Sequence, residues 1–218
     1  MMVALILAAI TRSQAQEYDG PCLPPTHGLD DHQSAFCGST ETQTIALLTG
    51  ANWFSTYLDI TLEDLQAALV AASTPNKTIT IKSHGANATY SRGRWNVPAA
   101  FTWDVANRFV IVLDEDIEIS LEGMPIDPAE HPITIVGNGV SNWIGFPFSQ
   151  SMTITEAFAT LPPQNNDNVK DPSGNSVYNR GRWQGTAFTT LVPGHGYIFV
   201  SAPGSADRTL VYPAPSKK

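Results

Sequence analysis

Apolar and polar positions alternate along Ile79-Thr80-Ile81-Lys82 and again along Ile117-Glu118-Ile119-Ser120-Leu121. A period of two predicts strands with one face in a core and one in water. Phe109-Val110-Ile111-Val112-Leu113 is apolar throughout, which predicts a strand covered on both faces. Asp114-Glu115-Asp116 lies between two of these strands and reads as a hairpin loop. Leu62, Leu65, Ala68 and Leu69 recur at helical spacing, behind Thr61 as N-cap and with Asp64 at the third helical position. A second helix is expected near Thr153 to Leu161, and Tyr197-Ile198-Phe199-Val200 reads as a strand entered through a turn at Gly194-His195-Gly196. The expected class is α+β, mostly β, built from antiparallel strands.

This pattern occurs twice. Asn52-Trp53-Phe54-Ser55 answers to Asn142-Trp143-Ile144-Gly145, and Ile81-Lys82 to Val169-Lys170. Tyr90-Ser91-Arg92-Gly93-Arg94-Trp95 recurs as Tyr178-Asn179-Arg180-Gly181-Arg182-Trp183, a shift of 88 residues. Asn107-Arg108-Phe109 against His195-Gly196-Tyr197 keeps that shift, whereas Trp53 to Trp143 is 90. Preserved order with nearly constant spacing predicts two tandem pseudo-repeats, each with one short helix. Their expected bounds are 44–131 and 132–213, joined at the proline-rich stretch around Pro125, Pro128 and Pro132.

A two-residue turn at Arg92-Gly93 would set Tyr90 opposite Trp95, and Arg180-Gly181 would do the same for Tyr178 and Trp183. Two equivalent patches follow, each with flat aromatic surface beside exposed arginines. Residues Tyr90, Arg92, Arg94, Trp95, Tyr178, Arg180, Arg182 and Trp183 are the candidate ligand-binding set. The competing reading is that these aromatics fill the core of each module.

The N-terminus narrows the compartment. Residues 1–10 are apolar, and Ser13-Gln14-Ala15 offers the small residues of a cleavage site, so 1–15 reads as a signal peptide. The stretch is too short to span a bilayer. Residues 16–43 read as an irregular leader and 214–218 as a tail. Cys22 and Cys37 are expected to form a disulfide, which suits export. A Cys₂His₂ zinc set with His27 and His32 is the alternative, although its spacing lacks the close pairs zinc usually takes.

These stretches resemble a tandem module of secreted and cell-surface proteins of Bacteroidetes-type bacteria, whose signature is close to Gly-Trp-Asn-Trp-Ile/Phe-Ser. The resemblance covers about residues 44 to 213, through Asn52 to Leu58, Ile81-Lys82-Ser83, Tyr90 to Trp95, Asn142 to Pro147 and Gly194 to Tyr197. Ala51 and Ser141 stand where the motif usually has Trp, and Asp171 where Ser is usual. The resemblance implies an extracellular accessory module and supplies no catalytic residues.

Charge removes some partners. Twenty acidic residues against twelve basic give a formal net charge of −8. Nucleic-acid binding needs cations to displace phosphate counterions, so DNA and RNA are not expected partners. No Gly-x-Ser-x-Gly elbow frames His84, His131 or His195, and the acids cluster in turns. No catalytic residue, metal or cofactor is therefore expected. The expected function is non-catalytic binding or adhesion, secreted or at the cell surface, with carbohydrate or another surface protein as partner. A structural surface-assembly protein is the alternative, and a secreted hydrolase ranks below both.

Overall fold

The computed structural model describes residues 39–185 and 188–213. The expected signal peptide, the pairing of Cys22 with Cys37, His27, His32 and the tail lie outside the described residues. The first half runs β1 (Glu41–Leu47), β2 (Gly50–Phe54), β3 (Leu58–Asp59), α1 (Leu62–Ala72), β4 (Ile79–Lys82), β5 (Asn87–Ser91), β6 (Arg94–Asn96), β7 (Phe109–Leu113) and β8 (Ile117–Pro125). A 3₁₀ turn at Pro128–Glu130 follows. The second half runs β9 (Ile133–Ile135), β10 (Ser141–Ile144), β11 (Met152–Thr153), α2 (Ile154–Ala157), β12 (Asn168–Asp171), β13 (Gly174–Asn179), β14 (Arg182–Gln184), β15 (Thr190–Leu191), β16 (Tyr197–Val200) and β17 (Arg208–Leu210). The chain is mostly β, with antiparallel sheets and two α-helices among the described residues. No helix among them is long and apolar enough to cross a membrane.

Two five-stranded sheets carry the halves. One has the order β2-β7-β4-β5-β6, the other β10-β16-β12-β13-β14. Register repeats along with order. Trp53 lies opposite Val110 and Trp143 opposite Ile198; Ile81 opposite Ile111 and Val169 opposite Phe199. Outside each sheet, β1 pairs with β8 and β9 with β17. A one-residue slip would turn every apolar side chain to the other face, so matching register means that matching positions are buried. Each half has its own core, one around Phe54, Leu65, Leu69 and Phe109, the other around Phe146, Phe158, Phe199 and Tyr212.

The alternating strands come out as the pattern requires. Ile79 and Ile81 are buried, as are Ile117, Ile119 and Leu121, and their polar neighbours face outward. Strand β7 is buried at Phe109, Val110, Ile111 and Leu113. Both helices begin with a capping box: Thr61 with Asp64, and Thr153 with Glu156. In each, the threonine hydroxyl and backbone N–H donate to the carboxylate and hold it below its ordinary pKa.

Three expectations are corrected. The acids Asp114 to Asp116 do not close a hairpin, because β7 pairs with β2 and β4 while β8 pairs with β1 and β3. They turn the chain from one sheet to the next, and tie down neighbouring loops. Glu115 accepts from the N–H and hydroxyl of Thr74, and Asp116 from those of Thr49. Strand β1 begins at Glu41, so the irregular leader does not extend to residue 43. The second helix spans Ile154–Ala157 rather than reaching Leu161, and ends in tight turns at Phe158 and Ala159.

The hairpin tips are left-handed at both turn residues: Arg92 has φ 52° and Gly93 79°, Arg180 51° and Gly181 81°. This is the geometry that matches strand twist in two-residue hairpins. A Cβ at Gly93 or Gly181 meets no atom within 4 Å, so only backbone strain opposes it. Gly93→Ala and Gly181→Ala are each expected to lower stability by about 1–2 kcal/mol in urea unfolding, with no change in the native spectrum.

Candidate functional site

The eight residues singled out in the sequence fall into two separate places. Tyr90 pairs with Trp95 and Tyr178 with Trp183, each pair with ring centroids 5.4 Å apart. Arg92, Arg94, Arg180 and Arg182 are exposed, whereas the four aromatics are half-buried. Trp95 leans on the first core, and Trp183 on the second, 5.7 Å from Phe158. Strands β6 and β14 are the edges of their sheets farthest from β2 and β10. Four inter-strand steps of about 4.8 Å, roughly 19 Å, separate each hairpin from the inner edge of its own sheet. No joint surface forms. Both edges are three residues long and flanked by arginines, the features that discourage edge-to-edge pairing.

The other ends of the sheets meet. Ser55 N–H donates to Gly194 O at 3.1 Å, and Gly145 N–H donates to Ala106 O at 2.7 Å. By the shifts of 90 and 88, Ser55 corresponds to Gly145 and Ala106 to Gly194, so the two bonds are reciprocal. Reciprocity of this kind marks a local two-fold relation. Gly196 N–H adds a bond to Trp53 O at 3.2 Å, and Phe54 bridges His195. Ser55 fastens the joint from its side: its hydroxyl donates to His195 O at 2.7 Å and accepts from Phe146 N–H at 3.1 Å.

The Asn-Trp motif lies at this junction. Asn142 accepts from Val136 N–H and donates to the carbonyls of Val136, Val140 and Phe199. Asn52 does the same with Leu48, Gly50 and Ile111. Each asparagine therefore braces a turn against the adjacent strand, and its role is structural. The tryptophans do something else. Arg108 inserts its guanidinium between them, 4.0 Å from the Trp53 ring centroid and 3.7 Å from that of Trp143.

Arg108 is only 3% exposed, and its Nε and Nη1 have no hydrogen-bond partner. Burial pushes its pKa down to about 10, so it remains a cation at neutral pH. Magnitudes show the imbalance. Each desolvated cation–π contact contributes about 2 kcal/mol. Removing a charged group from water costs several kcal/mol, and each unmade buried bond about 1–3 kcal/mol more. The second half treats its arginine differently: Arg208 makes a paired contact with the buried Asp167, at 2.8 and 2.7 Å. Among the described residues that is the only ion pair.

Arg108 lines a cleft of about 450 Å³ at the junction. Ser83, His84, Thr102, Asp104 and Asn107 come to it from the first half, Thr134, Ser141, Asn142 and Trp143 from the second. His84 stands edge-on to Trp143, centroids 5.7 Å apart. Asp104, the one carboxylate of the lining, accepts from Ala106 N–H at 2.9 Å and so caps a turn. The cleft can offer a cation, aromatic rings and hydroxyls to a small polar molecule, and its size falls in the range of ligand pockets.

No protein-family model, curated protein or solved structure matches the chain.

Sequence reasoning missed Arg108 and the cleft. The available signal was the alignment of Asn107-Arg108-Phe109 with His195-Gly196-Tyr197, which sets an arginine where the other copy has glycine. The structure explains that difference. A Cβ on Gly196 would lie 2.1 Å from Arg108 Cγ and 2.8 Å from Phe54 O. Gly196→Ala is expected to cost about 1–3 kcal/mol in denaturant unfolding, part of it recovered by adding Arg108→Ala, which removes Cγ. Arg108→Met tests the balance at the sandwich. An unbranched apolar chain keeps the ring contacts without the buried charge, so stability is expected to stay level or rise by up to about 2 kcal/mol. A fall of several kcal/mol would mean that the charge itself holds the halves together.

Proposed function

We propose that this chain is a non-catalytic binding module, acting outside the cytoplasm, and that it binds through the junction cleft rather than through its two hairpin tips. One observation carries the reading: a buried arginine that no carboxylate answers among the described residues lines a cleft of ligand size. Buried donors are normally satisfied, and an unsatisfied one is a common mark of a site completed by something else. The hairpins offer less. Their tryptophans are partly committed to the cores, and their arginines stand at the sheet edges opposite the junction.

A carbohydrate partner suits this lining, since Ser83, Thr102, Thr134 and Ser141 supply hydroxyls around an aromatic wall. Adhesion through a glycan is thus retained as the function, with the contact moved from the repeated aromatics to the joint between repeats. A glycan array probed with three proteins tests it. Wild type is expected to bind. Ser141→Trp, which fills the cleft from an exposed position on β10, is expected to lose at least tenfold in affinity. Trp95→Ala with Trp183→Ala, verified as folded, should retain binding. Loss in the hairpin variant with Ser141→Trp unaffected would return the site to the tips.

A further inference from the structure

We infer that the ligand of the cleft carries a carboxylate, and that it is an acidic sugar whose carboxylate meets the edge of Arg108. The inference rests on the cleft being the binding site, and goes on to name what it selects.

Three features of the site lead there. First, the guanidinium faces are both taken by indole rings, at 4.0 and 3.7 Å. A guanidinium covered on its faces has only its in-plane N–H groups left to offer, and with Nε and Nη1 sealed from solvent the group that can reach the cleft is Nη2. A charge-assisted bond from that group to a carboxylate is roughly twice as strong as one to a neutral hydroxyl. Second, no acid among the described residues answers Arg108. Asp104 is held by Ala106 N–H, and Asp167 is engaged by Arg208. His84, Asp104 and Arg108 are the only titratable groups in the lining, and none forms an ion pair there. Third, the other polar groups of the lining are small hydroxyls and amides set beside apolar Phe109, Ile133 and Val140, at a volume suited to one or two sugar rings. One of the two tryptophans, Trp143, lines the cleft and also packs on Arg108, so ligand contact and guanidinium position are linked.

The chain as a whole is acidic, with a formal net charge of −8. Long-range attraction of an anion is therefore not what brings the ligand in. Affinity has to arise at short range, from a desolvated charge-assisted contact, and screening by salt should affect it little.

The test uses ¹⁵N-labelled full-length protein titrated with a di-uronate, with its carboxyl-reduced neutral counterpart, and with an N-acetylated amino acid. The indole N–H signal of Trp143 reports on the cleft and that of Trp53 on the Arg108 guanidinium behind it, those of Trp95 and Trp183 on the hairpins. The di-uronate is expected to move the Trp53 and Trp143 signals saturably, at least tenfold more tightly than the neutral sugar. Arg108→Met should remove that preference while the protein stays folded by circular dichroism. Equal affinity for neutral and acidic sugar, unchanged by Arg108→Met, would overturn the carboxylate while leaving the cleft as the site. Tighter binding of the N-acetylated amino acid would overturn the sugar. Shifts confined to Trp95 and Trp183 would overturn both the cleft and its ligand. The absence of any saturable shift with the acids would overturn the inference.

Discussion

Two similar sheets meet at a local two-fold relation, and near such an axis equivalent side chains compete for the same space. This constraint governs the junction. Arg108 and Gly196 hold equivalent positions, and the arginine occupies the volume that a side chain on residue 196 would need. Gly145, the counterpart of Ser55, is crowded by backbone instead: a Cβ there would lie 2.9 Å from the carbonyl oxygens of Val105 and Ala106. In each pair one copy carries the side chain and the other is glycine. Interiors are packed too densely for both to be accommodated without displacing backbone. Asymmetry at the axis is thus a packing solution imposed by the similarity of the halves.

The two residues left with side chains at the axis do different work. Ser55 is satisfied on both sides and joins the halves through backbone. Arg108 is satisfied on its faces only. Arg208, partly buried, is the better answered arginine of this fold, with a carboxylate across from it and both terminal nitrogens used, although its Nε is also without a partner. The cores supply most of the stabilisation, since each buries several large aromatics and aliphatics, so the fold tolerates one poorly compensated cation. A group whose cost is not recovered within the protein is where binding free energy can be released.

Much of the scaffold was legible because local rules and burial agreed. Period-two alternation fixed Ile79–Lys82 and Ile117–Leu121, and the Arg-Gly pairs fixed the hairpins together with their Tyr–Trp registers. Connections between sheets were harder. Asp114 to Asp116 look like a hairpin loop because two strands flank them, yet strand pairing is decided by tertiary partners and β8 goes to β1. The site was harder still. Recurring aromatics draw attention to what the two halves have in common, whereas the cleft depends on Arg108, where they differ. An arginine beside a fully apolar strand looks like an ordinary strand flank until the partner rings, ninety residues apart in sequence, are brought to either side of it.

Two sheets of matching order and register would ordinarily be expected to present two sites, one per half. The geometry argues for one. The hairpins are duplicated but stand apart at outer edges, each with its tryptophan drawn toward its own core. The cleft draws on both halves: His84 and Arg108 come from the first, Ser141 and Trp143 from the second. Since Trp53 and Trp143 sit on equivalent strands, any change in how the halves meet alters the spacing of the two rings and hence the position of the guanidinium between them. Binding at the cleft and cohesion of the junction are therefore properties of the same contacts, and a substitution that loosens one is bound to weaken the other unless, like one that fills the cleft from an exposed strand position, it leaves the sandwich itself untouched.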